Sequence, residues 1–386
     1  MIKKSFTLIC ILFFFNAFSQ KLIEKNLDSD ILGTKRNIKI YLPKGYEDEG
    51  EEDKNYPLAI VFDAEYLFDT YVGNSILFAA KDKAPKQIVV GISMDKTRKK
   101  DTYFNESNGK LTGSNIAFYQ FVRDEVLFYM ESNYRTSPFI SLIGEGTSAN
   151  LISHYLKESV PFINSYICIN PTFSDFIGQQ LQSYNLKKFL KEDNTFYLYT
   201  NNSSSFSVKK QTMIGELQAG LSSLNLKNFN IINDTITTKS SVSAISEAIP
   251  RAINEIFEIY SAISKEEFDK NIKDLPPFDA ITYLENKYLE IEFLFGSNLG
   301  IRERDIYAVE RIIIEKENGD QLREFGKMIL KLFPGSPLGD YYIGRYYESG
   351  KQPEKALKYY KIGYGKMDPS DPNSDAFYEN ILRLSK

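Results

Sequence analysis

Residues 138–156 read PFISLIGEGTSANLISHYL, and the reading of this stretch decides the fold. A short apolar run (Phe139, Ile140, Leu142, Ile143) stops at Gly144. Small residues follow, and from Asn150 to Leu156 the apolar side chains take helical spacing. Strand, sharp turn, helix is the layout that lifts a nucleophile above the carboxyl end of a sheet, in the pattern G-x-S-x-G. Glycines flank such an elbow because its tight backbone leaves no room for side chains. With Gly144 as the first glycine, Glu145 comes next and the nucleophile position falls on Gly146, followed by Thr147 and Ser148. Glycine has no oxygen to attack with. The stretch predicts an elbow whose central residue argues against nucleophilic catalysis.

Outward from the elbow, the chain reads as strands alternating with helices. Pro57–Phe62 and Gln87–Ile92 are near-continuous apolar runs, as strands buried on both faces should be. Asn37–Leu42 alternates with period two. Ala117–Asn133 carries apolar residues three and four apart (Phe118, Phe121, Val122, Val126, Leu127, Met130), an amphipathic helix feeding the elbow strand. Beyond the elbow, Tyr166–Ile169, Thr195–Tyr199 and Phe229–Ile232 are further strands, separated by helices at Phe176–Leu190 and Met213–Leu224. This order predicts an α/β fold with a mostly parallel sheet covered on both faces.

From Ser264 the character changes to charge-rich helical sequence, broken at Pro276-Pro277, Gly296 and Pro334–Pro337. Residues 341–365 read YYIGRYYESGKQPEKALKYYKIGYG. Gly344, Tyr347, Gly350, Ala356 and Tyr360 there take the spacing of one tetratricopeptide-like helix pair, with an ordinary helical hairpin as the alternative. A small all-helical C-terminal domain, 264–386, is therefore expected after an α/β domain at 20–263.

Residues 1–19 look like an export signal. Lys3 and Lys4 precede the apolar core Phe6–Phe15, and Ala17-Phe18-Ser19 supplies small residues for cleavage. The core is too short to span a bilayer. The expected location is the periplasm or the outside of a bacterial cell. Cys10 leaves with the signal, so Cys168 is alone, no internal disulfide can form, and a packed strand residue is its expected role. The 386 residues are 42% hydrophobic and 25% charged with a net charge of −4 and no basic cluster, which gives no reason to expect nucleic-acid or anionic-membrane binding. GEGTSAN lacks the lysine and spacing of a phosphate loop, no dinucleotide fingerprint follows the first strand, and no cofactor is expected.

In order and spacing, these pieces resemble the “Putative esterase” family of α/β-hydrolases, which includes esterase D and relatives of enterobactin esterase. The matching segments are Ile60–Glu65, Ile88–Ile92 with Arg98–Asp101, Phe121–Glu125, Asn133–Arg135, the elbow and Ile169–Pro171. The resemblance spans roughly 21–260 and implies the α/β-hydrolase fold, while activity does not follow from fold. In the family a serine attacks an ester carbonyl, a histidine takes its proton, and an acid orients the histidine. Carried over, the serine falls on Gly146. The acid falls at Asn201–Ser205, and the histidine falls on Lys239 before Ser240-Ser241-Val242. The resemblance places the oxyanion donors at the backbone N–H groups near Ala64 and Thr147, which do not depend on side-chain identity.

The chain has one histidine, His154, on the helix that runs away from the elbow rim, where a triad partner cannot reach. A single histidine also removes imidazole-rich zinc schemes. Ser148 offers a displaced nucleophile in the run G-T-S-A-N, although at a helix start its hydroxyl suits capping better. It would need a base, and Lys239 could serve only if burial depressed its pKa. Glu145 is a second candidate, expected to turn aside into hydrogen bonds. Three readings remain open at this level. The first is a secreted non-catalytic family member binding a protein partner or a small ester-like ligand. The second is a carboxylic-ester hydrolase acting through Ser148, and the third an adaptor in envelope assembly.

Overall fold

The computed structural model describes residues 21–238, 240–296, 299–317, 319–368, 371 and 373–385. The proposed export signal, with Cys10, lies outside them. Eight strands form one sheet: β1 (Lys21–Ser29), β2 (Thr34–Leu42), β3 (Tyr56–Val61), β4 (Ile88–Ile92), β5 (Thr136–Glu145), β6 (Ser165–Ile169), β7 (Phe196–Asn202) and β8 (Phe229–Thr235). Their spatial order is β1-β2-β4-β3-β5-β6-β7-β8. β1 pairs antiparallel with β2, and β2 antiparallel with β4; all other pairs are parallel. The central strands β3, β4 and β6 are buried throughout, which is why they read as unbroken apolar runs. β1 is new relative to the sequence reading. It is a mostly exposed edge strand, KLIEKNLDS, whose charges discourage edge-to-edge pairing and hide its strand character.

Each face of the sheet carries its own core. On one face lie the helical run 114–133, the elbow helix Thr147–Ser153, Ile177–Ser183 and Val208–Ser222, around Phe118, Phe121, Ile152, Ile177 and Leu217. The run 114–133 contains a π-helical segment at Phe121–Val126 that periodicity alone did not disclose. The segment expected as one helix at Phe176–Leu190 is instead the helix Ile177–Ser183 and a 3₁₀ turn Leu186–Lys191, broken at Tyr184 where the backbone is extended. On the other face lie Leu67–Ala80 and Ser241–Ile256, the latter presenting Ala244, Ala248 and Ala252 at four-residue spacing.

The C-terminal region is helical: Pro277–Phe295, Glu303–Glu317, Leu322–Leu332, Pro337–Ser349, Pro353–Tyr364 and Ser374–Leu384. The hairpin expected at 341–365 is present. A Cβ on Gly344 would lie 2.7 Å from the Tyr360 ring, so only glycine lets these two helices approach so closely. Its neighbours complete the packing, with Phe325 against Tyr342 (4.9 Å between centroids) and Phe377 against Tyr341 (5.3 Å). The helix Pro277–Phe295 belongs to both halves. Ala280, Ile281, Leu284 and Tyr288 join the helical core, while Ile291, Leu294 and Phe295 join the core under the sheet. No described helix is long and apolar enough to cross a membrane.

Candidate functional site

The carboxyl ends of β3, β5 and β6 hold three backbone positions with positive φ: Asp63 (54°), Gly146 (61°) and Asn170 (42°). Two of them, Asp63 and Asn170, are non-glycine residues, and such backbone gathered at one rim of a sheet marks a site. Gly146 has φ 61° and ψ −118° and caps the elbow helix, so it occupies the elbow position expected for a nucleophile. A Cβ on Gly144 would come within 2.9 Å of Ser148 Cβ, which explains the first glycine.

What stands above Gly146 is an arginine. A Cβ built there would have Arg98 Nη2 as its nearest neighbour, at 3.5 Å. Arg98 opens the short helix Arg98–Asp101, and its guanidinium ties together the ends of β3 and β5. Nε donates to Asp63 Oδ1 at 2.6 Å, Nη2 to Asp63 Oδ2 at 3.3 Å, and Nη2 also to the Glu145 carbonyl at 2.9 Å. Asp63 is 1% exposed, so its charge depends on this pairing. Arg98 is itself fixed from below. Asp101 on the same helix forms a buried bidentate pair with Arg36 of β2, at 2.6 and 3.2 Å.

Ser148 is fully buried and its Oγ donates to Asp63 Oδ2 at 2.7 Å. This corrects the capping role expected for it, since the elbow helix has no side-chain cap. Thr147 Oγ1 meets Thr102 Oγ1 at 2.8 Å. The Ala64 N–H, expected to serve an oxyanion, instead donates to Ile92 O at 3.2 Å, because the loop after β3 folds back onto β4. Glu145 turns sideways towards the Tyr66 hydroxyl and Arg98, both at 3.4 Å. Burial raises its carboxyl pKa, with the Arg98 charge opposing.

In the region expected to hold the acid, Asn201 is fully buried and paired with Asn170. It accepts from the Asn170 N–H at 2.6 Å and donates from Nδ2 to Asn170 Oδ1 at 2.9 Å. Amides here orient one another; they cannot carry the charge that steadies an imidazolium. Lys239 lies outside the described residues. His154 is buried two turns along the elbow helix, with Nδ1 3.3 Å from the Tyr184 hydroxyl. Cys168 is a buried β6 residue whose thiol pKa burial pushes up.

Beside the elbow lies a cavity of about 500 Å³, lined in part by Phe104, Thr172, Phe173, Lys210 and Met213. The Thr172 N–H donates to Gly146 O at 2.9 Å, so the cavity adjoins the elbow directly. Lys210 Nζ donates to Asn170 O at 2.8 Å and sits 3.9 Å from the Phe206 ring centre. Sequence reading missed Arg98, Asp63 and Lys210 as site residues. The one available signal was that Asp63 and Arg98 fall in segments that match the family. Among the described residues no group of three His, Cys, Asp or Glu side chains is placed to hold a metal ion.

Residues 29–153 match the family model described as “Putative esterase”. No curated protein matches the chain. Among solved structures, an uncharacterised protein from Capnocytophaga ochracea superposes with TM-score 0.80 at 22% identity, covering 95% of this chain and 99% of its own. An IroE-like serine hydrolase from Shewanella oneidensis gives TM-score 0.56 at 18% identity, covering 81% of this chain and 98% of its own. The BES protein from Bacillus cereus gives 0.53 at 15%, covering 66% and 98%. At such identities the likeness is one of fold. The chain thus has an esterase-like α/β-hydrolase fold, matching the “Putative esterase” family over 29–153 and continuing into a helical C-terminal region.

Proposed function

We propose that this chain is an exported, non-catalytic member of the esterase-like group, which binds in the cleft beside the elbow and offers its C-terminal helices as a docking face. One observation carries the reading: the elbow backbone is kept, yet a glycine sits at its apex with the Arg98 guanidinium 3.5 Å from where a side chain would begin. The turn keeps its positive φ, which glycine adopts without strain, and lacks the atom such an elbow presents. The neighbouring 500 Å³ cavity is large enough for a small ester-like ligand or an inserted partner side chain.

Catalysis through Ser148 is the alternative, favoured by its 2.7 Å hydrogen bond to a carboxylate. Against it, Ser148 has no exposed surface, carboxylates are weak bases, and both Asp63 oxygens are spent on Arg98 and Ser148. Intact mass after exposure of the mature protein to a fluorophosphonate separates the two. The expected outcome is no adduct on the wild type. An adduct that disappears in Ser148→Ala would overturn the proposal and make the protein a carboxylic-ester hydrolase with a displaced nucleophile.

A further inference from the structure

The walls of the cavity beside the elbow differ in chemistry. Phe173 and Met213 are buried on its lining and Phe104 is half-buried beside them, so one side is apolar. These three come from separate segments: the loop after the helix Arg98–Asp101, the loop after β6, and the helix Val208–Ser222. A space of about 500 Å³ enclosed by such walls is the size of a small-molecule site.

Four charged side chains also line it: Glu106, Asp175, Lys209 and Lys210. Asp175 and Lys209 pair with each other at 2.6 Å, and Glu106 is exposed, so water solvates these three. Lys210 differs from them. It is half-buried, its Nζ donates to Asn170 O at 2.8 Å, and the Phe206 ring centre lies 3.9 Å away. Neither neighbour carries a negative charge. Among the described residues Lys210 forms no ion pair. Glu145 acts on it only at longer range and is turned towards Tyr66 and Arg98.

An ammonium has three N–H donors, and here one carbonyl and one ring face occupy two of them at most. Burial lowers the pKa of Lys210, with the Glu145 charge opposing. A cation held out of bulk water without a counter-ion is costly, and an anion entering the cavity would supply the missing partner. A single ammonium beside apolar walls suits one negative charge on an apolar body. A dianion such as phosphate would call for several converging donors.

We infer that this cavity binds an apolar monocarboxylate, with its carboxylate on the Lys210 ammonium and its body along Phe104, Phe173 and Met213. The assignment rests on the reading of this cleft as a binding site and gives that site a ligand class.

Calorimetric titration of the full mature chain tests it, with octanoate as the probe. Beside it go 1-octanol, which lacks the charge, and butyrate, which lacks most of the apolar body. The expected result is saturable binding of octanoate, and affinity about tenfold weaker for each of the other two. Lys210→Gln should weaken octanoate by about the same factor and leave 1-octanol unchanged, whereas Lys210→Arg should keep most of the affinity. Glu145→Gln should tighten octanoate, because it removes the acid that competes for the ammonium. Lys110→Gln, which lies outside this cavity, should change nothing. Absence of saturable octanoate binding would overturn the assignment. So would butyrate binding as tightly as octanoate, or octanoate binding undiminished in Lys210→Gln. Equal affinity for 1-octanol would overturn the carboxylate while leaving a binding cleft. The non-catalytic reading itself falls only with a fluorophosphonate adduct, which none of these titrations measures.

Discussion

Arg98 holds the rim together at a position where a catalytic side chain would need space. Its guanidinium neutralises a nearly buried aspartate and grips the carbonyl just before the apex of the elbow. Removing it as Arg98→Ala would strand the Asp63 charge. We expect a loss of about 3 kcal/mol, at the low end for a broken buried pair because the arginine side chain is 34% exposed. Adding Asp63→Asn should recover part of that loss, since the neutral amide can still accept from Ser148. Urea midpoints of the two single variants and the double variant measure the coupling. Additive losses would mean that the pair is worth little. Neither variant should gain reactivity towards a fluorophosphonate, because taking away the arginine puts no oxygen on Gly146.

At the scale of elements, the elbow helix ends on a buried polar turn. Lys188 donates to the Leu156 and Glu158 carbonyls, and burial brings its ammonium down to about 8, while His154 sits one turn earlier. Unfolded, that imidazole takes a proton near 6.5; folded, it resists until about 3. Acid therefore favours the unfolded chain throughout the interval, and the histidine's contribution rises with pH until it levels off above 6.5. Between about pH 7.5 and about pH 5 the wild type should lose about 2 kcal/mol through this group. His154→Gln should lack that share, and denaturant curves at the two pH values check it. Much of this layer was legible in the sequence. β3, β4 and β6 announce themselves because both faces are buried, and the elbow because glycine punctuates an apolar run. β1 did not, because a charged edge strand resembles a loop. The plug over Gly146 was not legible either. It joins Asp63, Arg98 and Glu145 across three strand ends, and neither periodicity nor spacing records which side chains a parallel sheet gathers at one rim.

For the whole molecule, the deciding element is the helix Pro277–Phe295. Phe295 lies 5.0 Å from Phe139 of the elbow strand and 5.2 Å from Phe257, between ring centres, at the end of a helix whose first half builds the helical core. Phe295→Ala should cost about 3–5 kcal/mol. Because both cores share this helix, calorimetry should show one lowered transition. Two separating peaks would mean that the halves fold independently. A chain ended before Ser264 would bare Phe139 and Phe257 and should aggregate, so partner-mapping by deletion there would report misfolding instead of lost docking. The shared helix also has a mechanical consequence. A load applied to the C-terminal helices is passed through interlocked rings to the strand that carries the elbow. Whatever grasps the far end of this molecule thereby tugs on the rim that Arg98 fastens.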